Sequence, residues 1–172
     1  INKNCNYTCS FCYNKEVLNN NSLQDEVYKI EDLKEFLGSD YGKKSLRIAL
    51  MGGEPFLNKN IHELVAECKR QRKIVNIVSN GSLISEDDVI KMKETRLDAI
   101  GLSLYDNNID HISRLVHLFN HYGLNYWVQT VVDATKYELI DEKLEYAVKN
   151  KISNFILSNY NAYFDESFDK AV

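Results

Sequence analysis

At 172 residues, with 44% apolar and 27% charged side chains, one proline and seven glycines, the chain has the makeup of a single globular domain able to bury a core. Its 21 basic and 25 acidic residues give a net charge of −4, and its longest basic run, Lys69-Arg70-Gln71-Arg72-Lys73, reads as a solvated helix end, so no nucleic-acid partner is expected. No stretch approaches the roughly 20 apolar residues of a membrane span and no signal peptide is visible, so no membrane partner is expected either.

Three of the four cysteines open the chain, in Cys5-Asn6-Tyr7-Thr8-Cys9-Ser10-Phe11-Cys12, at C-x3-C-x2-C spacing. So few cysteines in a chain this long make no disulfide framework, and their clustering points to metal in a reducing, cytoplasmic compartment. After a polar stretch, Ser22 and Asp25 read as a helix start. Leu23, Val27, Ile30, Leu33 and Leu37 follow at helical spacing, and Gly38 is the stop. Residues 46–51 form a strand ended by Gly52-Gly53-Glu54-Pro55, and Ile61, Leu64, Val65 and Cys68 make the next helical stripe. Residues 74–79 form a strand ended by Asn80-Gly81, and Ser85 with Asp88 opens a helix carrying Val89, Ile90 and Met92. A strand at 99–104, a helix from Ile109 to Tyr122 closed by Gly123, a strand at 125–132, a helix at 137–148 and a strand at 152–157 complete the pattern, with a last helix starting near Asp165.

Helix and strand alternate after the opening loop, which predicts an α/β fold of parallel strands joined by right-handed helical crossovers. The apolar runs in the strands are near-continuous, as when both sheet faces are covered. An open doubly wound sheet and a partial (β/α) barrel both satisfy this pattern. No repeat or linker interrupts it, so residues 1–172 are expected to be one domain and, with Ile1 in place of a starting methionine, a fragment of a longer chain.

Parallel α/β folds place their chemistry at the carboxyl ends of the strands. Gly52-Gly53-Glu54-Pro55, Ser79-Asn80-Gly81, Ser103, Gln129 and Ser158-Asn159 all fall there, and the cysteine loop joins them if a strand precedes Ile1. The glycine pair lets a ligand approach the backbone, and Glu54 brings a carboxylate able to face an ammonium group. Ordinary turns at the glycines and at Asn80-Gly81, and satisfied core hydrogen bonds at Ser103 and Gln129, are the alternatives. Three thiolates are one short of the ligand set of a structural zinc or a cubane cluster. The position is either left open for an outside ligand or completed by His62 or Cys68, although Cys68 lies on an apolar stripe as a core cysteine does. His62, His111, His117 and His121 fall on predicted helices and read as surface residues.

Cys5-x3-Cys9-x-Phe11-Cys12 followed by Gly52-Gly53-Glu54-Pro55 resembles the radical S-adenosylmethionine (SAM) superfamily, whose pattern includes the aromatic before the last cysteine. The resemblance covers nearly the whole chain and implies a partial (β/α)6 TIM-like barrel with parallel strands, its first strand largely missing and Ile1-Asn2 its tail. It implies that Cys5, Cys9 and Cys12 hold a 4Fe-4S cluster whose fourth iron is chelated by S-adenosyl-L-methionine. It also implies an oxidoreductase-type enzyme that cleaves SAM to a 5′-deoxyadenosyl radical for hydrogen abstraction, served by an electron donor such as flavodoxin or ferredoxin. By motif match, Gly52, Gly53 and Glu54 meet the SAM amino group and Phe11 lies near the adenine. Ser103 resembles a strand-end serine that contacts SAM, and Asn80 and Gln129 line the cofactor pocket.

Two departures stand out. Many relatives read Ser-Leu-Asp where this chain has Ser103-Leu104-Tyr105-Asp106, which weakens Asp106 as a ribose contact. Gln129 stands where several relatives carry asparagine. Cys5-Asn6-Tyr7 and Val78-Ser79-Asn80-Gly81-Ser82-Leu83-Ile84 look viperin-like, and similar strings occur in peptide- and protein-modifying members with SPASM-type domains. The leading expectation is peptide or protein modification, with a peptide or small-molecule substrate. A viperin-like nucleotide-modifying enzyme and a non-catalytic iron-sulfur or zinc-binding module are the alternatives.

Overall fold

The first described helix of the computed structural model, α1 (Ile30–Gly38), buries Ile30, Leu33 and Leu37 on one face, as their spacing demands. Residues 1–9, 11–12, 27–132 and 137–159 are described, so the Ser22–Asp25 signal lies outside them. The helix starts at Ile30 because Asp32 reaches back to accept from the Lys29 backbone N–H at 2.9 Å. Val27, placed on the helical stripe by its spacing, instead forms an antiparallel bridge with Asn2.

A short helix absent from the sequence reading, α2 (Asp40–Lys44), follows at once, with Ser39 Oγ accepting from Gly42 N–H at 3.1 Å. Its carbonyl end is closed by Lys73, whose ammonium donates to the carbonyls of Gly42, Lys43 and Ser45 at 2.6, 3.1 and 2.7 Å. The basic run is therefore only partly a solvated helix end. Arg70, Gln71 and Arg72 are exposed, but Lys69 pairs with Asp98 at 2.6 Å and Lys73 is buried.

Strands and helices then alternate: β1 (Arg47–Leu50), α3 (Ile61–Arg70), β2 (Ile74–Ser79), α4 (Glu86–Glu94), β3 (Ala99–Ser103), α5 (Ile109–Tyr122), β4 (Tyr126–Val132), α6 (Tyr137–Lys149) and β5 (Phe155–Asn159). All strand pairs are parallel, and the sheet order is β1-β2-β3-β4-β5. A doubly wound sheet reverses its order at a switch point, and this one never does. Of the two architectures open to the sequence, the singly wound arc of a (β/α) barrel is the one adopted. Residues 1–4 run beside the loop after β1. Ile1 N donates to Met51 O, Gly53 N–H to Asn2 O at 3.1 Å and Glu54 N–H to Asn4 O at 2.7 Å. The chain thus enters the cysteine loop hydrogen-bonded to the loop that follows β1.

Helices cover the outer face of the arc. Leu64, Val65 and Cys68 of α3, Val89 and Met92 of α4, and Ile112, Leu115 and Phe119 of α5 form one fully buried core with Val75, Ile77, Ile100 and Leu102 of the strands. Ile90 is the exception on its predicted stripe, 37% exposed and turned off the Val89–Met92 face. Ser85 and Asp88 exchange the expected capping-box bonds, Asp88 N–H to Ser85 Oγ at 3.2 Å and Ser85 N–H to the Asp88 carboxylate at 2.9 Å. Gly123 ends α5 at φ 63°, the left-handed cap that glycine adopts without strain. β5 begins later than its apolar run suggests, because Ile152 is consumed by the turn after α6, donating its N–H to Ala147 O at 2.9 Å. No described helix is long and apolar enough to cross a membrane.

Candidate cofactor site

The carboxyl ends of the strands open into a cavity of about 240 Å³. Cys5, Cys9 and Cys12 line it together with Phe11, Gly52, Gly53, Glu54, Asn80, Ser103 and Gln129, so the three cysteines and the seven residues expected to bind the cofactor meet at one place, while Pro55, Gly81 and Asp106 do not line it. Register explains part of this convergence. Ser103 pairs with Gln129, and Val131 with Ser158, so side chains from three successive strands point the same way into the arc.

The glycine pair has a job that spacing alone does not reveal. A Cβ on Gly53 would stand 1.9 Å from Asn4 O and 2.9 Å from Cys5 N, and one on Gly52 would stand 2.3 Å from Asn2 O. These are backbone atoms, so the glycines allow the chain leading into Cys5 to lie directly against the loop after β1. Asn2 fastens the contact, donating from Nδ2 to Glu54 O at 2.8 Å.

Glu54 is 1% exposed and forms the cavity wall rather than projecting from it. Oε1 accepts from Phe56 N–H at 3.0 Å and Ser79 Oγ at 2.7 Å, and Oε2 accepts from Asn80 N–H at 2.8 Å. Burial pushes its carboxyl above the ordinary value, and these three bonds pull back without cancelling the shift. All three donors are neutral, which leaves the buried carboxylate well suited to an incoming cation. Asn80 carries the tie onward to the cysteine loop. Its Nδ2 donates to Asn6 Oδ1 at 2.9 Å and lies 4.0 Å from Cys5 Sγ, while Oδ1 accepts from Ser82 N–H at 2.9 Å.

Several participants escaped the sequence reading. Asn108, 4% exposed, donates from Nδ2 to Asn80 O at 3.0 Å and Ser103 O at 2.9 Å, and its Oδ1 accepts from Tyr105 N–H at 2.7 Å. The available signal was an asparagine just before the first residue of α5. Tyr105 places its ring centroid 5.9 Å from that of Tyr7 and 5.7 Å from that of Phe11. Trp127 Nε1 donates to Gln129 Oε1 at 2.9 Å, which fixes the amide. Asp106 lies outside the cavity wall, its side chain 85% exposed and paired with Lys143.

Two histidines also depart from the surface reading because they bridge elements. His62 bonds Asp88 at 2.8 Å with its side chain only 17% exposed, and His111 Nε2 bonds Gly81 O at 2.7 Å. His117 and His121 are exposed as expected.

Three thiols on one loop beside the strand ends are a soft donor set, which suits a thiophilic metal or an iron–sulfur cluster. Cys68 is sealed in the core and His62 is committed to Asp88, so neither completes a tetrahedral zinc site. Burial pushes the Cys5 and Cys9 thiols up, and a Tyr7 N–H at 3.5 Å from Cys5 Sγ offers a donor to the thiolate that a soft cation would stabilise.

Three soft donors on a loop over the strand ends of a singly wound arc make a candidate metal or cluster site at the face where parallel α/β folds place their chemistry. The radical SAM superfamily profile matches residues 1–170, and the chain belongs to that superfamily, whose enzymes use a 4Fe-4S cluster and S-adenosyl-L-methionine. GTP 3',8-cyclase of Helicobacter pylori is 27% identical over 175 residues, which cover 98% of this chain and 48% of that protein. An S-adenosylmethionine-dependent nucleotide dehydratase of a Thermoplasmatales archaeon is 37% identical over 102 residues, 58% of this chain and 34% of that protein. Streptococcus suis SuiB bound to S-adenosylmethionine matches with a TM-score of 0.77 at 24% identity, over 95% of this chain and 40% of that one. SuiB bound to the precursor peptide SuiA gives 0.72 at 26% identity, over 92% and 37%. The chain spans about half or less of the length of each of these relatives.

Proposed function

We propose that this chain is the core of a radical SAM enzyme that cleaves S-adenosyl-L-methionine reductively and uses the radical to abstract hydrogen from a peptide. The observation that carries the reading is the cavity joining three cysteine thiols to the Gly52-Gly53-Glu54 wall. Cys5, Cys9 and Cys12 would hold the cluster, which when bound supplies the electron and an iron without a protein ligand at which SAM chelates. The protein's own part is positioning and exclusion of water. The Glu54 carboxylate, buried among neutral donors, favours the cationic end of SAM. Ser103 and Gln129 present polar groups from adjacent strand ends, and Phe11 presents a ring face to the adenine. The electron is assigned to a reductant of the flavodoxin or ferredoxin class, in a reducing, cytoplasmic compartment that keeps the thiols free.

The peptide reading is supported by SuiB, crystallised with its precursor peptide. The two nucleotide-named relatives support a second reading, in which the same site serves a nucleotide. The test is anaerobic reconstitution with iron and sulfide, then dithionite and SAM, with 5′-deoxyadenosine read by mass spectrometry. Release of 5′-deoxyadenosine is expected, and its absence from protein with an intact cluster refutes the function. Deuterium passing into that product from a labelled peptide selects the first substrate class, and passing from a labelled nucleotide selects the second.

A further inference from the structure

Tyr105 follows β3 at the point where the superfamily pattern commonly carries aspartate. Its backbone is held from both sides by one residue: its N–H donates to Asn108 Oδ1 at 2.7 Å and its carbonyl accepts from Asn108 N–H at 3.1 Å. So short a doubly bonded turn makes the direction of the side chain part of the fold. That direction is into the cysteine loop, where the ring meets Tyr7 at an interplanar angle of 53° and Phe11 at 41°, both tilted pairs within aromatic contact range. Tyr7 and Phe11 flank Cys9 in the chain, so contacts on both fix the stretch that carries this sulfur.

We propose that Tyr105 is a positioning residue for the cluster, its ring clamping the cysteine loop through Tyr7 and Phe11. The inference rests on the radical SAM reading above. A side chain without an aromatic ring at this place would lose both tilted contacts and leave the stretch around Cys9 less well held.

The test compares the full natural chain with Y105F and Y105L after anaerobic reconstitution. Iron and sulfide per chain are measured, with circular dichroism reporting the fold. Y105F keeps the ring and should hold wild-type iron, whereas Y105L loses both ring contacts and should retain less. Full iron retention by Y105L overturns the clamp, and so does a Y105F protein as depleted as Y105L. Y105F differs by one oxygen atom, so it carries the test even where Y105L folds poorly. A wild-type chain that takes up no cluster overturns this inference together with the proposed function. A loaded wild type with an equally loaded Y105L overturns the inference alone.

Discussion

Replacing Gly53 with alanine tests whether the glycine pair serves the cysteine loop or only an incoming ligand. The new methyl would stand 1.9 Å from Asn4 O, so residues 2–5 must retreat by more than an ångström before the contact reaches 3.0 Å. That retreat breaks the 2.7 Å bond from Glu54 N–H to Asn4 O and strains the 3.1 Å bond from Gly53 N–H to Asn2 O. At about 0.5–1.5 kcal/mol for each bond, the loss is roughly 1–3 kcal/mol. A domain stabilised by about 5–15 kcal/mol survives it, so the sheet should stay folded while the chain into Cys5 comes away. The expected result is a near-native circular dichroism spectrum with sharply reduced iron and sulfide after reconstitution without SAM. A Gly53→Ala protein that takes up a full cluster and loses only SAM affinity would refute the packing argument.

Asn108→Ala removes the link between Asn80 O, Ser103 O and Tyr105 N–H, and should cost roughly 1–3 kcal/mol, read as a melting temperature several degrees lower. Lys73→Met leaves three carbonyls at the end of α2 without their shared donor, and faster amide exchange confined to residues 40–45 is the expected signature. Cys68→Ala should lower stability through a core cavity yet leave iron content unchanged, whereas alanine at Cys5, Cys9 or Cys12 should abolish iron retention. Stability should also respond to pH from both sides. Burial holds the Glu54 carboxyl above 4.5, so the folded chain keeps a proton that the unfolded chain has released. Its contribution is greatest below that value and falls as pH rises toward the folded pKa. Burial alone would raise Asp98 as well, but the Lys69 ammonium and the Val75 N–H outweigh it and hold the carboxyl below 3.8. That contribution is present above 3.8 and is lost as pH falls through the folded pKa. Melting curves across pH should show Glu54→Gln flattening the decline above pH 4.5, and Asp98→Asn flattening the acid limb.

The order of elements was legible because each signal is local. Apolar spacing at Ile112, Leu115, Val116 and Phe119, the Ser85–Asp88 capping box and the left-handed Gly123 each report on a few neighbouring residues, and each appears where the sequence places it. The strand-end rule likewise needs only a strand and the residue after it, which is why Glu54, Asn80, Ser103 and Gln129 were found together with the cysteines. Periodicity says nothing about which strand lies beside which. Only the hydrogen-bonded order β1-β2-β3-β4-β5 separated a barrel arc from a doubly wound sheet. Contacts across long sequence separations were equally silent. Lys73 reads as one more surface cation until α2 offers it three carbonyls, and Val27 fits a helical stripe until Asn2 pairs with it. Tyr105 reads as a departure from a motif until its ring is seen against Tyr7 and Phe11. The cysteine spacing by itself marked a metal site one ligand short, and the superfamily pattern, not the spacing, supplied the 4Fe-4S reading. Tertiary structure alone decided how the loop is held, because backbone brought within 1.9 Å of the position of an absent Cβ leaves no trace in spacing.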